Sequence, residues 1–236
     1  MNSFKAKLIK RIKQTPTIES FSFSVINKPA FLPGQFVQVM FDSVNSGNNE
    51  LNKYLSISCS PTKDYLEVTK RLSNSKFSSQ LKSLEENDEV FFQGPFGTCV
   101  FKQEFRKIGF LIGGIGITPV ISILEYIVEK NLSTDSLLLY SNRSIEEIAF
   151  KGTLEGFSRR LNNIKTILTI TEQIIKNNVL LMGKIDRSTI EKYIPDFQER
   201  VFFIFGPPAM AEAMSKILKE LNVQNKNIKK EVFIGY

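Results

Sequence analysis

The 236-residue chain contains no histidine, no tryptophan and only two cysteines, Cys59 and Cys99. Without histidine there is no Ser-His-Asp triad, no Cys-His pair and none of the usual zinc sites. Two cysteines exclude a disulfide framework and a four-thiolate iron–sulfur cluster within this chain. Any stacking against a planar ligand falls to the six tyrosines and twenty phenylalanines. Long apolar runs are missing as well. Phe110-Leu111-Ile112 and Val201 to Phe205 are strand-sized, well short of the roughly 20 residues of a membrane-spanning helix, so no membrane span is expected. The start, Met1 to Lys5, lacks the apolar core of a secretory signal, and a cytoplasmic protein is the expectation.

What is present is ordinary globular chemistry with a mild positive excess. The net charge of +7 divides into +4 over residues 1–103 and +3 over the remainder, with acids interleaved among the bases. That distribution describes a solvated surface rather than a nucleic-acid-binding module; its functional reading is attraction of anionic cofactors or of an acidic protein partner. Chemistry without histidine points to a cofactor that brings its own reactivity.

Two rhythms divide the chain. Up to about residue 103, short alternating segments predict strands at Phe4–Lys13, Thr17–Ile26, Gln35–Val39, Tyr54–Cys59, Tyr65–Arg71 and Glu89–Gln93, with one short helix at Phe77–Leu84. Many short strands with one small helix predict a closed antiparallel barrel. From residue 104, strands at Ile108–Ile112, Ser136–Tyr140, Ile164–Ile170, Val201–Phe205 and Glu231–Ile234 alternate with helical patterns after Pro119, over Ile145–Leu161 and from Ala209. This alternation predicts a Rossmann-like, doubly wound parallel sheet covered by helices. The predicted domains are therefore 1–103 and 104–236.

Three motifs carry chemistry. Gly114-x-Gly116-x-x-Pro119 follows a strand and opens a helix. Amides at that helix start point at a phosphate, and Pro119 fits the first helical turn; the alternative is a turn made tight only for packing. Gly206-Pro207-Pro208 occupies a second strand-to-helix junction. Two such loops at strand carboxyl ends face one crevice, which suits a dinucleotide. Lys53-Tyr54-Leu55-Ser56 and the stretch Arg71 to Ser79 supply cations and hydroxyls suited to a phosphorylated ligand, or else form a strand edge and a helix cap.

Taken in order, Pro33-Gly34-Gln35-Phe36, Lys53 to Ser56 and Gly94-Pro95-Phe96-Gly97 resemble the FAD domain of the ferredoxin–NADP reductase superfamily. Gly113 to Pro119, Gly206 to Met210 and the ending Glu231 to Tyr236 resemble its NAD(P) domain. The resemblance implies an FAD-dependent oxidoreductase using NADPH or NADH. It would bind flavin through Lys53, Tyr54, Leu55, Ser56, Lys70, Arg71, Leu72, Lys76, Phe77 and Ser78. The nicotinamide dinucleotide would lie against Gly114, Gly116, Thr118, Pro119, Gly206, Pro207, Pro208 and Met210. Ser56, Glu231 and Tyr236 would be the catalytic set beside the isoalloxazine ring, and no metal is implied. Arg143, just past the strand Ser136–Tyr140, suits a 2′-phosphate and leans the reading towards NADPH.

Four departures accompany the resemblance. Lys53 stands for an arginine, Leu55 for an aromatic, Ser75 for a glycine and Phe205 for a cysteine. They leave FMN or a loosely held flavin open. The implied partner is a separate electron acceptor: an acidic ferredoxin or flavodoxin, or an oxygenase component. The alternatives are an NAD(P)H:flavin reductase with diffusible flavin, and a non-catalytic subunit that keeps the fold.

Overall fold

The computed structural model describes residues 3–173 and 180–233. Its first half is a six-stranded antiparallel sheet built from β1 (Ser3–Lys13), β2 (Ile18–Ser24), β3 (Phe36–Met40), β4 (Asn52–Ser56), β5 (Tyr65–Arg71) and β6 (Glu89–Phe96). The order is β4-β3-β6-β1-β2-β5. Alternation along these strands sends Phe21, Phe23, Val37, Val39, Leu66, Val68 and Phe92 into one core. Helix α1 (Lys76–Ser83) adds Phe77 and Leu81 to that core. Ser75 caps the helix, its side chain accepting from the Ser78 amide at 3.2 Å.

The expected closed barrel is only approached. Strands β4 and β5 end the ladder, and they meet through the single bridge Ile57–Val68 and the bond from the Ser58 amide to the Glu67 carbonyl at 2.8 Å. Pairing stops there because the chain beyond β4 is drawn towards the second half of the molecule. The Cys59 carbonyl and Ser60 amide bond to side chains of a helix in that half.

The second half is a parallel sheet of β7 (Lys107–Gly113), β8 (Asp135–Asn142), β9 (Ile164–Ile170), β10 (Leu181–Met182), β11 (Val201–Gly206) and β12 (Ile228–Val232). Its order, β10-β9-β8-β7-β11-β12, makes β7 and β11 neighbours across the point where the winding reverses. Helices α2 (Ile117–Glu129) and α3 (Lys151–Arg160) cover one face; α4 (Arg187–Tyr193) and α5 (Pro208–Glu220) cover the other. Phe203 and Phe205 point to the first face and Phe202 and Ile204 to the second, as the period of two requires.

The helix predicted over Ile145–Leu161 is broken. Residues Ile148, Ala149 and Phe150 are all buried, and Phe150 takes a left-handed φ of 59°. A left-handed residue does not continue a right-handed helix, so α3 starts only at Lys151. Strand β10 and helix α4 were not legible in the sequence: two and seven residues are too short to show a period.

The two halves are locked by α2 against the chain between β4 and β5. Ile18 of β2 belongs to the second core, as do Cys99 and Phe101. Ser122 Oγ donates to the Cys59 carbonyl at 2.7 Å, and the Ser60 amide donates to Glu125 Oε2 at 2.7 Å. Lys63 pairs with Glu125 at 3.1 Å and Glu129 at 2.5 Å.

At the opposite end of the parallel sheet, buried Arg200 bonds to Asp196 (2.6 Å), Asp135 (3.0 Å) and the Ile108 carbonyl (3.0 Å). Arg200→Ala is expected to lower unfolding stability by about 2–3 kcal/mol, measured in urea, because it strips charge-assisted bonds from three groups at once.

Candidate functional site

Between the two sheets lies a cleft of about 740 Å³. Edge strand β4 contributes Lys53, Tyr54, Leu55 and Ser56; the end of β5 contributes Thr69, Lys70 and Arg71. From the second half come Ile115, Thr118, Glu231, Val232 and Phe233. Phe36, Tyr54 and Phe96 form one wall. Their ring centroids lie 5.7 Å (Phe36–Tyr54), 5.8 Å (Phe36–Phe96) and 5.9 Å (Tyr54–Phe96) apart. Tyr54 is 60% exposed despite its size, leaving a planar apolar face at the rim.

The electrostatics of this cleft are unbalanced. Lys70 is only 8% exposed, its ammonium sits 6.0 Å from the Phe77 ring centre, and no ion pair reaches it or Lys53 among the described residues. Burial, then repulsion from Lys53, holds the Lys70 ammonium below its usual pKa. Two neighbouring cations without a carboxylate are satisfied by an anionic ligand.

On the opposite wall, Glu231 Oε2 lies 3.8 Å from the position a Cβ would take on Gly97. Burial pushes the Glu231 carboxyl up to about 7. Burial, and secondarily the charge of Glu231, pushes the nearby Cys99 thiol up to about 12, so it remains protonated.

A second cleft of about 410 Å³ opens at the carboxyl ends of β7, β8 and β11 and shares Arg71 and Ile115 with the first. Gly114, Asn142, Arg143, Glu147, Pro207 and Met210 line it. Gly114 has φ 51°, and a Cβ on Gly116 would stand 2.3 Å from the Phe205 carbonyl oxygen; the loop therefore needs glycine at both positions. Arg71 bonds to Glu147 at 3.2 Å and to Thr17 Oγ1 at 2.9 Å, and Arg143 faces Glu172 at 3.5 Å. Asn142 is buried, yet neither its amide nitrogen nor its oxygen has a hydrogen-bond partner. An orphaned amide in a crevice wall is costly unless a ligand completes it.

The structure thus gathers Lys53, Tyr54, Leu55, Ser56, Lys70, Arg71, Thr118 and Glu231 around the larger cleft. It places Gly114, Arg143, Pro207 and Met210 around the smaller one. Gly116, Pro119, Gly206 and Pro208 shape the two strand-to-helix turns without lining either cleft. Leu72 and Phe77 pack with the antiparallel core, Phe77 edge-on to Phe41 at 5.3 Å, so the Phe77 side chain does not face the cleft. Exposed Lys76 pairs with Glu50 at 2.6 Å, and buried Ser78 is held by Ser73 and Ser75. Helix capping accounts for that turn. Tyr236 lies outside the described residues.

Several lining residues were not predicted as site residues: Phe36, Thr69, Gln93, Phe96, Gly97, Thr98, Ile115, Val232 and Phe233 in the larger cleft, and Ser141, Asn142, Glu147 and Thr171 in the smaller. Phe36 and Phe96 did carry a signal, since each sits in a glycine-containing motif. Asn142, a polar residue closing an apolar strand at its carboxyl end, carried another.

Comparison with known proteins agrees with this geometry. The family model described as oxidoreductase FAD-binding domain matches residues 5–101, and the oxidoreductase NAD-binding domain matches residues 110–216. The chain is 24% identical over 237 residues to a flavohemoprotein of Oceanobacillus iheyensis, covering 96% of this chain and 58% of that protein. It is 29% identical over 221 residues to the glycine betaine monooxygenase reductase subunit of Pseudomonas aeruginosa, covering 90% and 59%. The chain thus spans under two thirds of the length of these curated relatives. A cytochrome P450 reductase of Amycolatopsis shares the fold at a TM-score of 0.85 and 18% identity, covering 98% of this chain and 70% of the other. With an FAD-binding and an NAD-binding domain in succession, two clefts joined at Arg71 and the ordered motifs from Pro33 to Glu231, this chain belongs to the ferredoxin–NADP reductase superfamily.

Proposed function

We propose that this chain is an NAD(P)H-dependent flavoprotein reductase that passes electrons to a separate acceptor, with residues 1–103 holding FAD and residues 104–236 holding the nicotinamide nucleotide. The observation that carries this reading is the pair Lys53 and Lys70, held without a counter-ion in one cleft that continues through Arg71 into a second, glycine-walled cleft. When bound, the flavin accepts hydride from the nicotinamide and releases electrons singly or in pairs.

The residues divide the work. Lys53 and Lys70 neutralise the flavin phosphates, and binding an anion removes the mutual repulsion that the free protein bears. Tyr54, with Phe36 and Phe96 behind it, supports the ring system. The Ser56 hydroxyl, buried at the end of β4, orients the reacting edge of the flavin. Glu231 holds a proton near neutrality on the side of the cleft that the second half supplies, and Tyr236 keeps a catalytic role on the resemblance alone. Gly114 and Ile115, at the start of the turn that Gly116, Thr118 and Pro119 shape, present amides to the dinucleotide, opposite Pro207 and Met210 on the turn that Gly206 and Pro208 shape. These contacts align donor and acceptor and exclude water from the transfer.

The acceptor belongs to the proposal in its chemical class: a redox protein such as a ferredoxin or flavodoxin, or an oxygenase component. The P. aeruginosa relative, by its name, serves a monooxygenase, which supports the oxygenase reading. A second reading, flavin as a diffusing substrate, is favoured by the first turn of α1. There Lys76 and Ser78 are occupied by Glu50, Ser73 and Ser75 instead of facing the cleft. Gel filtration decides between them: a yellow protein bleached by NAD(P)H supports bound flavin, and a colourless active one supports diffusing flavin. A protein inert to both nucleotides with flavin supplied sinks both.

Lys53→Ala and Lys70→Ala are each expected to weaken FAD about tenfold to a hundredfold in a fluorescence titration of flavin-free protein, the loss of one charge-assisted contact. Arg143→Ala is expected to lower the preference for NADPH over NADH in single-turnover reduction; an unchanged ratio removes Arg143 from 2′-phosphate recognition. Glu231 gives a pH signature. Its folded-state pKa of about 7 lies above its ordinary 4.5, so its contribution to stability is complete below 4.5 and lost as pH rises through 7. Between those limits wild type is expected to lose melting temperature relative to Glu231→Gln, with the two curves parallel outside them.

A further inference from the structure

Behind the wall of the larger cleft, the outer faces of β2 and β5 carry a buried run of hydroxyls that ends on a carboxyl group. Leu66 and Val68 of β5 point into the antiparallel core, so Glu67 and Thr69 point the other way. Thr69 lines the cleft, and its Oγ1 lies 2.8 Å from Ser58 Oγ. Ser58 Oγ donates to Glu67 Oε1 at 3.1 Å, and Ser22 Oγ donates to Glu67 Oε2 at 3.0 Å. Ser20 Oγ lies 2.7 Å from Thr69 Oγ1 and takes a bond from Gln14 Nε2 at 3.0 Å. Apart from Gln14, every member is less than a tenth exposed.

The direction of these bonds is forced. Ser58 spends its one hydroxyl proton on Glu67, so it accepts from Thr69, which in turn accepts from Ser20. From Thr69, the member that lines the cleft, the donors run in one direction through Ser58 to Glu67, the arrangement along which a proton is handed from oxygen to oxygen. Among the described residues no cation bonds to Glu67. Lys10 of β1 acts on it at a distance, opposed by Glu125 of α2, while Cys59 and Tyr65 beside it stay uncharged. Burial raises its pKa, so the carboxylate is disposed to take a proton.

We propose that Thr69, Ser58 and Glu67 form a proton path leading out of the larger cleft. It rests on the reductase reading above. Oxidation of one NAD(P)H by two one-electron acceptor molecules yields NAD(P)⁺, two reduced acceptors and one proton. The hydride brings two electrons and that proton into the cleft. The electrons leave on the acceptor, and the proton passes Thr69 and Ser58 to the Glu67 carboxylate, then to water on the Lys10 side. A network that only cements the interface needs no such aligned polarity and no carboxyl at its end.

The test uses the full chain, Glu67→Gln and Ser58→Ala. In flavin-free protein, the infrared carboxyl band lost in Glu67→Gln is expected to titrate above the ordinary glutamate range of about 4.3; titration at the ordinary value overturns the path. In flavin-loaded protein reduced by NADH and mixed with ferricyanide in weak buffer with a pH indicator, wild type is expected to release its proton in step with electron loss. In both variants release is expected to lag at least about tenfold, with anaerobic hydride transfer unaltered. Proton release in step with electron loss in either folded variant overturns the path alone. Absence of hydride transfer in wild type overturns the reductase reading and the path together.

Discussion

The junction of α2 with the chain between β4 and β5 is the constraint on which the rest of the molecule depends. A sheet with one apolar face inside its own core must cover its other face or leave it wet, and this junction holds the second half against the first. Ile18 enters the second core, Ser122 and Glu125 bind the chain just beyond β4, and Lys63 bridges Glu125 and Glu129. Because that contact is made at one side only, the space beside it stays open as the larger cleft. The same contact holds the chain beyond Ser58, where its pairing with β5 ends, which leaves the antiparallel sheet short of closure and β4 as a wall of the cleft.

Two kinds of buried polar group stand at the ends of the parallel sheet and its clefts. Arg200 at the far end of the parallel sheet is fully answered by Asp196, Asp135 and the Ile108 carbonyl, and its burial is structural. Lys70 beside Lys53, and the Asn142 amide, are buried and unanswered. Each such group lowers the stability of the free protein by an amount of about 1–3 kcal/mol for a neutral one, and more for a charge. Lys70 and Asn142 stand at clefts, while the answered Arg200 lies at the opposite pole of the parallel sheet.

The seam between the halves holds a third kind: Glu67, buried and satisfied only by neutral hydroxyls. Polar side chains at this interface keep the β2–β5 face from forming a continuous apolar surface. They also connect the interior of the seam to the cleft wall at Thr69.

How much of this was legible in the sequence follows from what is local. Alternation at Phe21, Phe23, Val37 and Val39, and the strand–glycine–helix junctions at Gly113–Pro119 and Gly206–Pro208, are properties of a few adjacent residues. They determined the antiparallel half, the parallel half and the loops that face one crevice. The ordered motifs extended that to a family and to part of the lining of both clefts. Tertiary structure alone decided the rest. Nothing local in Phe77 or Ser78 distinguishes a cofactor contact from a core side chain and a helix cap; only the packing of α1 into the antiparallel core does so. Nothing local marks Phe150 as the break, yet its left-handed backbone separates the buried residues before it from α3. The absence of a counter-ion at Lys70, the orphaned amide of Asn142 and the raised carboxyl of Glu231 are relations between distant strands. They exist only once the sheets are stacked, because burial and pairing are properties of the assembled fold rather than of any residue within it.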